Sequence, residues 1–298
     1  VGPIPVADGR GREIVTRVSS PIKSSGTFYT DSNGREFMKR QKNYRPTWDL
    51  NVFEPVAGNY YPVNAAIYVE NSSTKEALVV ATDRSQGGAS LQDGSIELMV
   101  HRRTLADDHR GVDEPMNETD GGVTPYPPYG NATRYGEGLV IRGKHRILIG
   151  DKGGATLARS VMDPLFAEPL VFVGSSTNKE PLPFRVTNFT GVTKSLPPNV
   201  MLITRERLTD GTSSVSAVQF LIRLGHQYGV GEDAELSKPA SVDFVDCLPG
   251  YAITKVEELT LSANRNYDAW AKARLAWTGG KSDAGVDSSS GVQDGTTI

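Results

Sequence analysis

Residues 65–82 read AAIYVENSSTKEALVVAT, in which two short apolar runs, Ala65 to Val69 and Ala77 to Thr82, flank a polar segment. Short runs of β-branched, aromatic and small residues bounded by polar turn residues are typical of β-strands. The first 150 residues contain four more runs of this kind: Glu13 to Val18, Ile96 to Val100, Leu139 to Ile141 and Arg146 to Ile149. This half of the chain is therefore predicted to be built from strands.

Glycine-containing turns separate these runs. Asn33-Gly34, Gly87-Gly88 and Asp93-Gly94 supply the positive φ that tight turns need. Strands and helices do not alternate along the chain, and 31 glycines with 18 prolines fit many turns better than long helices. The pattern predicts an all-β meander or sandwich with few helices.

A second β series follows a single predicted helix. The helix runs from Ala155 to Phe166, where apolar residues recur at three- and four-residue spacing, and Pro164 and Pro169 oppose its continuation. The later predicted strands are Val171 to Gly174, Val200 to Glu206, Ser214 to Leu224, Val242 to Val245 and Lys255 to Leu261. We therefore divide the chain into a β unit at 1–155, a helix and linker at 156–195, and a smaller β unit at 196–277. Residues 278–298 are almost free of apolar side chains and are predicted to be a disordered tail.

Composition excludes several classes of function. The net charge of -3 provides no basic surface for nucleic acid, and no apolar stretch approaches the ~20 residues of a membrane span. The single cysteine, Cys247, is expected to be a small buried hydrophobe. The chain opens at Val1 without a signal peptide, which fits a processing site or an incomplete record and says nothing of the compartment.

Four N-x-Ser/Thr sequons favour passage through the secretory pathway, and they lie at Asn71, Asn117, Asn131 and Asn188. Chance produces such a tripeptide about once in ~150 to 200 residues, so the set is suggestive and no single sequon is decisive.

Catalytic motifs are scarce. There is no Walker loop and no Gly-x-Ser-x-Gly elbow, and the four histidines lack the spacing of a metal site. Asp107 and Asp108 form the most conspicuous acidic pair. In a loop they could flank a glycosidic bond, whereas in a solvated turn they would hold Arg103 or Arg110 in place, and we favour the turn.

Several motifs resemble a known family. Phe28 to Gly34, Gly58 to Val63, Thr82 to Leu91 and Glu97 to Gly111 closely resemble the C-terminal β region of the glycoside hydrolase family 38 α-mannosidases, above all the lysosomal or vacuolar branch. The resemblance covers about residues 10–118 and is weaker at Leu221 to His226 and Leu259 to Asn264. Residues 119–200 contain no motif of the family.

The resemblance implies a galactose-mutarotase-like supersandwich followed by a smaller β-sandwich. It also implies a retaining, zinc-dependent exo-α-mannosidase acting on N-linked glycans, with the nucleophile, the acid/base carboxylate and the Zn²⁺ ligands on an N-terminal catalytic barrel that this chain lacks. The chain itself would then be inactive, have that barrel as its partner, and reside in the lysosome or vacuole or be secreted.

One position in this resemblance reaches the substrate. Arg110 matches an arginine of the family that looks toward the sugar-binding cleft, with Asp107 and Asp108 orienting it, although Arg110 could instead only tie its loop to the barrel. The alternative function is a non-catalytic carbohydrate-binding or structural β module. Tyr60, Tyr61 or Trp48 would then stack on sugars, unless these aromatics are core residues.

Overall fold

The computed structural model describes residues 1–107, 116–121, 136–173, 190–208 and 218–275. The chain forms two compact units: Val1–Phe172 with Tyr228–Ala234, and Val173–Gln227 with Glu235–Ile298. The first unit contains strands β1 Arg12–Ser19, β2 Thr27–Asp31, β3 Phe37–Gln41, β4 Tyr61–Val63, β5 Ala66–Glu70, β6 Ala77–Thr82, β7 Gln86–Ala89, β8 Ser95–Arg103 and β9 His145–Gly150, a 3-10 helix at Ala57–Asn59, and helices α1 Gly154–Arg159 and α2 Met162–Phe166. The second unit contains β10 Val200–Leu208, β11 Gln219–His226 and helix α3 Tyr267–Lys272.

Two antiparallel sheets pack face to face in the first unit. Sheet 1 has the strand order β1-β8-β7-β4, and sheet 2 has the order β3-β2-β5-β6-β9. Side chains from both sheets fill the space between them, among them Phe28, Ile67 and Val80 from sheet 2 and Ile96 and Leu98 from sheet 1. The predicted all-β class with a sandwich and few helices is confirmed.

Sheet 2 is covered on both faces. Its second face packs against α1 and α2, with Tyr68 and Val79 meeting Ala158, Met162 and Leu165. All six residues of β6 are therefore buried, which explains why Ala77 to Thr82 reads as a continuous apolar run instead of an alternating one. The short segment 228–234 also belongs to this unit, where Glu232 pairs with the buried Arg159 at 2.9 Å.

The single predicted helix is two short helices. A continuous helix would bring the ring of Pro164 against the carbonyl of Ser160, so the chain breaks at Ser160 and Val161 and restarts with Pro164 in the first turn of α2. The longest helices have six residues, and none of the helices in the described ranges has the length and apolarity needed to cross a membrane.

Several strand predictions are wrong. Leu139 to Ile141 forms no strand, although Ile141 N–H donates to Val1 O at 2.9 Å. Residues 171–173 are exposed without strand pairing. Val242 and Phe244 are buried from irregular backbone, and Lys255 to Leu261 contributes one isolated bridge, Leu259 to Asn266. An apolar run can serve a core from irregular backbone, and its composition alone does not distinguish the two cases.

Strands β2, β3, β4 and β7 were not predicted, and β7 replaces a predicted turn. Gly87 and Gly88 lie inside β7, paired with β4 and β8. Small residues are needed there, because a Cβ on Gly88 would lie 2.7 Å from Val63 Cγ2. The turns at 31–34 and 92–94 are confirmed, with φ of 76° at Gly34 and 71° at Gly94.

The second unit is built on the antiparallel pair β10 and β11. Its core combines Val200, Ile222 and Leu224 from these strands with Phe244 and Cys247, so Cys247 is a buried hydrophobe as predicted. Within 190–208 and 218–275 this pair is the only sheet of the unit, so the smaller sandwich stays a prediction. The boundaries at 155 and 195 likewise stay predictions, and the tail at 278–298 lies outside the described residues.

Candidate functional site

Strand β8 leads the chain to the predicted sugar-binding loop. It pairs with β1 and β7 and ends at Arg103. Asp107, four residues later, is half-buried and is the last described residue before the gap. Asp108 and Arg110 lie outside the described ranges, so the predicted roles of Arg110, Asp107 and Asp108 stay predictions.

The two ends of this stretch are held together. Thr104 N–H donates to Met116 O at 3.0 Å, and Met116 N–H donates to Thr104 Oγ1 at 3.2 Å. Thr104 and Met116, the residues on either side of 105–115, are therefore bonded to each other directly after β8.

A second closed stretch starts a few residues later. Asp120 N–H donates to Glu137 O at 2.9 Å, and Glu137 N–H donates to Asp120 Oδ1 at 2.7 Å. Thr119 and Gly138 form an isolated antiparallel bridge just before and after these bonds. The two ends of the second stretch are therefore also bonded to each other, at Asp120 and Glu137.

The side chain of Arg103 lies between these closures. Its Nε donates to Asn117 Oδ1 at 2.7 Å and its Nη1 donates to Ile4 O at 2.8 Å. Gly138 is adjacent, since a Cβ there would lie 2.6 Å from Arg103 Nη1. Sequence reasoning had considered Arg103 only as a partner of the acidic pair, and its bonds to residues 14 and 99 positions away were missed.

The outer face of sheet 1 carries a buried carboxylate. Glu97 is 5% exposed, accepts from the Tyr60 hydroxyl at Oε1, and accepts from Arg17 Nε at Oε2 at 2.7 Å. Burial, and then the hydrogen bond to Glu97, raises the pKa of Tyr60 above its ordinary value. Tyr60 is therefore engaged within the sheet and is not a free stacking surface.

Of the other two candidate aromatics, only Trp48 is open to solvent. The Tyr61 ring lies between the guanidinium groups of Arg40 and Arg45, at 4.2 and 4.9 Å from its centroid, and packs edge-on to Phe28. Trp48 is 60% exposed. Tyr61 is thus a core-edge residue, whereas Trp48 keeps a surface on which a sugar could stack.

The described sequons differ in environment. Asn71 sits in the turn between β5 and β6, where its Oδ1 accepts from the backbone N–H of Ser73 at 2.9 Å and of Thr74 at 3.2 Å. Asn117 is half-buried and accepts from Arg103. Asn131 and Asn188 lie outside the described ranges, and glycosylation at all four positions stays a prediction.

Metal binding finds no support among the described residues. Among the described residues, no group of three His, Cys, Asp or Glu side chains could hold a metal ion. Three histidines have other partners: His101 bonds Leu139 O at 2.9 Å, His145 bonds Gln86 at 2.8 Å, and His226 bonds Lys238 O at 3.0 Å. The residues that the structure describes therefore do not fit a zinc site.

Sequence reasoning missed two structural carboxylates. The buried Asp31 accepts from the backbone N–H groups of Asn64, Ala65 and Ala66 at 2.8 to 2.9 Å through one oxygen, and from Gly34 N–H at 2.8 Å through the other. Asp93 accepts from both the backbone and the hydroxyl of Ser24. In the sequence, Asp31 and Asp93 stood out only as parts of turn motifs. The sequence therefore predicted the turns but not the distant N–H and O–H groups that donate to these carboxylates.

Comparison with known proteins identifies relatives. Residues 6–110 match the model described as the glycosyl hydrolases family 38 C-terminal domain. The chain is 44% identical over 284 residues to a lysosomal alpha-mannosidase of Bos taurus and 42% identical to that of Homo sapiens, with 93% of this chain covered in each. A probable alpha-mannosidase of Arabidopsis thaliana is 42% identical over 280 residues. The chain spans about a quarter of the length of these relatives, covering 26%, 25% and 26% of them.

Proposed function

We propose that this chain, which belongs to the C-terminal region of the glycoside hydrolase family 38 α-mannosidases, supplies the β scaffold and one wall of the sugar-binding cleft in such an enzyme. The observation that carries the proposal is identity of 44% with a lysosomal alpha-mannosidase across 93% of the chain. Similarity that extends over nearly the whole chain favours a shared role for the region as well as a shared fold.

The bond-breaking groups belong to other parts of the enzyme in this proposal. The activity is zinc-dependent hydrolysis of α-mannosides on N-linked glycans with retention of configuration. The catalytic barrel that carries the zinc ligands and the nucleophile is the partner of this chain. The relatives have about three quarters of their length outside the matched region, which leaves room for such a domain. The lysosome is the proposed compartment, with a vacuole or secretion as the alternatives, since relatives from Bos taurus and Homo sapiens are lysosomal.

Arg110 is the proposed contact to the sugar. A guanidinium is planar, always charged and rich in donors, so it can bond two neighbouring hydroxyl groups of a mannose ring. Asp107 and Asp108 would restrict its orientation. The closure of residues 105–115 by Thr104 and Met116 supports this role, because it fixes where the loop begins and ends.

The test is Arg110→Ala in the full-length enzyme. Loss of a charged hydrogen-bonding group should lower kcat/KM roughly 10- to 100-fold with little change in thermal stability. Arg102→Ala is the matched control, because Arg102 lies on the same segment and pairs with Glu13 at 3.1 Å on the surface. Unchanged kinetics together with a lower Tm would show that Arg110 only ties the loop to its surroundings.

The exposure of Trp48 favours a second candidate function, carbohydrate binding without catalysis. Binding of mannose oligosaccharides by the chain alone, lost in Trp48→Ala, would support that candidate.

A further inference from the structure

Strand β9 is a free edge of sheet 2. It pairs with β6 on one side, and none of the described residues pairs with its other side. Just before the strand, Asp83 N–H donates to Lys144 O at 3.3 Å. Hydrogen-bonded pairs alternate along an antiparallel ladder, so every second residue after Lys144 bonds β6. The residues between them, whose backbone N–H and C=O groups point away from β6, are His145, Ile147 and Ile149.

The side chains at this edge are apolar and exposed. Ile147 lies opposite Val80 and Ile149 lies opposite Leu78, and both of these partners belong to the core between the sheets. Ile147 and Ile149 are nevertheless 53% and 70% exposed. Sheet 2 has five strands and sheet 1 has four, and the exposure shows that β9 projects beyond the cover of sheet 1.

A second apolar surface starts beside the same edge. Leu170, Val171 and Phe172 are 82 to 86% exposed. Two residues before them, Glu168 accepts from Lys144 Nζ through both carboxylate oxygens at 2.7 Å, and Lys144 directly precedes β9.

The combined surface is large enough for a protein interface. Ile147 and Ile149 together with residues 170–172 leave on the order of 700 Å² exposed, and each partner in a specific interface buries roughly 800 Å². Monomeric proteins rarely leave apolar patches larger than a few hundred Å² in water. This surface therefore calls for a partner.

Two other sheet edges of the unit are protected against strand addition, whereas β9 is not. β1 carries a bulge between Ile14 and Val15, and β3 carries Lys39 and Arg40. β9 keeps an unbroken register with β6, and its residues 147–150 have no charge. Its free backbone groups are suited to accept another extended strand.

We propose that β9 pairs with β9 of a second copy of this chain, antiparallel across a two-fold axis, so that the two five-stranded sheets become one continuous sheet. An identical edge satisfies the unpaired groups of both chains in one self-complementary contact. With Ile147 opposite Ile147 of the partner subunit, Arg146 lies opposite Leu148 of the partner subunit, so no like charges face each other directly. The pairing is independent of any role in sugar binding.

The test is the dimer Kd of the full-length enzyme in analytical ultracentrifugation, for the wild type, Ile149→Pro and Ile147→Lys. Ile149→Pro removes an outward N–H and no bond to β6, and edge strands tolerate proline at such positions. Ile147→Lys places two like charges opposite each other at the axis. The wild type should be a dimer, and each variant should raise Kd at least roughly 10-fold with little change in Tm.

Phe53→Lys is the matched control, because Phe53 is 84% exposed in the segment between β3 and β4, away from β9. It should leave Kd unchanged. Ile147→Lys alters only a half-exposed side chain, so it keeps the test decisive if the proline variant folds poorly.

Photo-crosslinking identifies the contact itself. Ile147→benzoylphenylalanine in the full-length enzyme should join two copies through peptides that contain β9. The proposal is overturned by a monomeric wild type, by a dimer whose Kd is the same in both variants, or by crosslinks from position 147 only to another segment. Crosslinks of that last kind would show that a different part of the enzyme covers the edge.

Discussion

The side chain of Asp93 joins the turn between β7 and β8 to the segment that follows β1. Its Oδ1 accepts from Ser24 N–H at 3.0 Å, from Ser24 Oγ at 2.7 Å and from Gly26 N–H at 3.3 Å. The hydrogen bond from the Ser24 hydroxyl is the main cause that lowers the pKa of Asp93 below its ordinary value of 3.8. A single carboxylate therefore links residues 69 positions apart in the sequence.

The lowered pKa of Asp93 predicts a pH-dependent contribution to stability. A carboxyl whose pKa is lower in the folded state stabilises the fold above its unfolded pKa, and the stabilisation is lost as the pH falls through the folded pKa. We expect Asp93→Asn to have a lower Tm than the wild type at pH 5 to 7. This difference in Tm should disappear as the pH falls below about 3.8. Thermal unfolding across this pH range measures the difference.

Asp49→Asn is the control for this prediction, because Asp49 is exposed and has no hydrogen-bond partner among the described residues. Asp49→Asn should leave Tm close to that of the wild type, because it removes no hydrogen bond among the described residues. If the difference in Tm between Asp93→Asn and the wild type stayed constant down to pH 3, the ionised form of Asp93 would contribute nothing to stability.

Strand β7 shows how an element can depend on the absence of side chains. Gly88 faces the sandwich core, where an added Cβ would lie 2.7 Å from Val63 Cγ2 and 3.1 Å from both Ile67 Cδ1 and Leu98 Cδ2. Glycine is disfavoured in strands on conformational grounds, so close packing between the sheets explains its presence here.

We therefore expect Gly88→Ala to destabilise the first unit by about 1 to 3 kcal/mol through overpacking. Chemical denaturation followed by tryptophan fluorescence measures the change in the free energy of unfolding. Gly58→Ala is the matched control, since its Cβ would have 4.0 Å to Glu54 Cβ and should change stability by less than about 0.5 kcal/mol. Equal stability of Gly88→Ala and wild type would mean that the two sheets separate easily at this point.

Helices α1 and α2 depend on the spacing of their apolar residues and on the position of one proline. The three- and four-residue spacing of Leu157, Val161, Met162 and Leu165 correctly predicted a helical segment that packs on a core. The break between α1 and α2 follows from Pro164, which stands in the first turn of α2. The sequence prediction had instead placed the effect of Pro164 at the end of a single helix.

At the scale of the whole molecule, the chain should be inactive by itself. The purified 298 residues should bind well below one zinc per chain in elemental analysis and should release no product from a chromogenic α-mannoside, whereas under the proposed function the full-length protein should do both. This expectation rests on the proposed function, in which the zinc ligands and the nucleophile lie in the part of the relatives outside the matched region. Stoichiometric zinc together with turnover by the chain alone would overturn the proposed division of labour.

The sequence by itself determined the all-β class, the tight turns at 31–34 and 92–94, the helical segment after residue 150 and the family. These features are local: a turn needs a glycine at one position, and a helix needs an apolar spacing of three and four. The similarity was recognisable because its motifs, such as Thr82 to Leu91, are continuous in the chain.

Only the tertiary structure decided which apolar runs became strands and which groups the polar side chains near β8 bond. Ala77 to Thr82 became a central strand because both of its faces are covered. Leu139 to Ile141 instead forms a backbone hydrogen bond to the N-terminal segment. Arg103 meets Ile4 across 99 residues, and Asp93 meets Ser24 across 69. Contacts over such separations depend on how the tertiary structure brings distant segments together, which no local pattern in the sequence records.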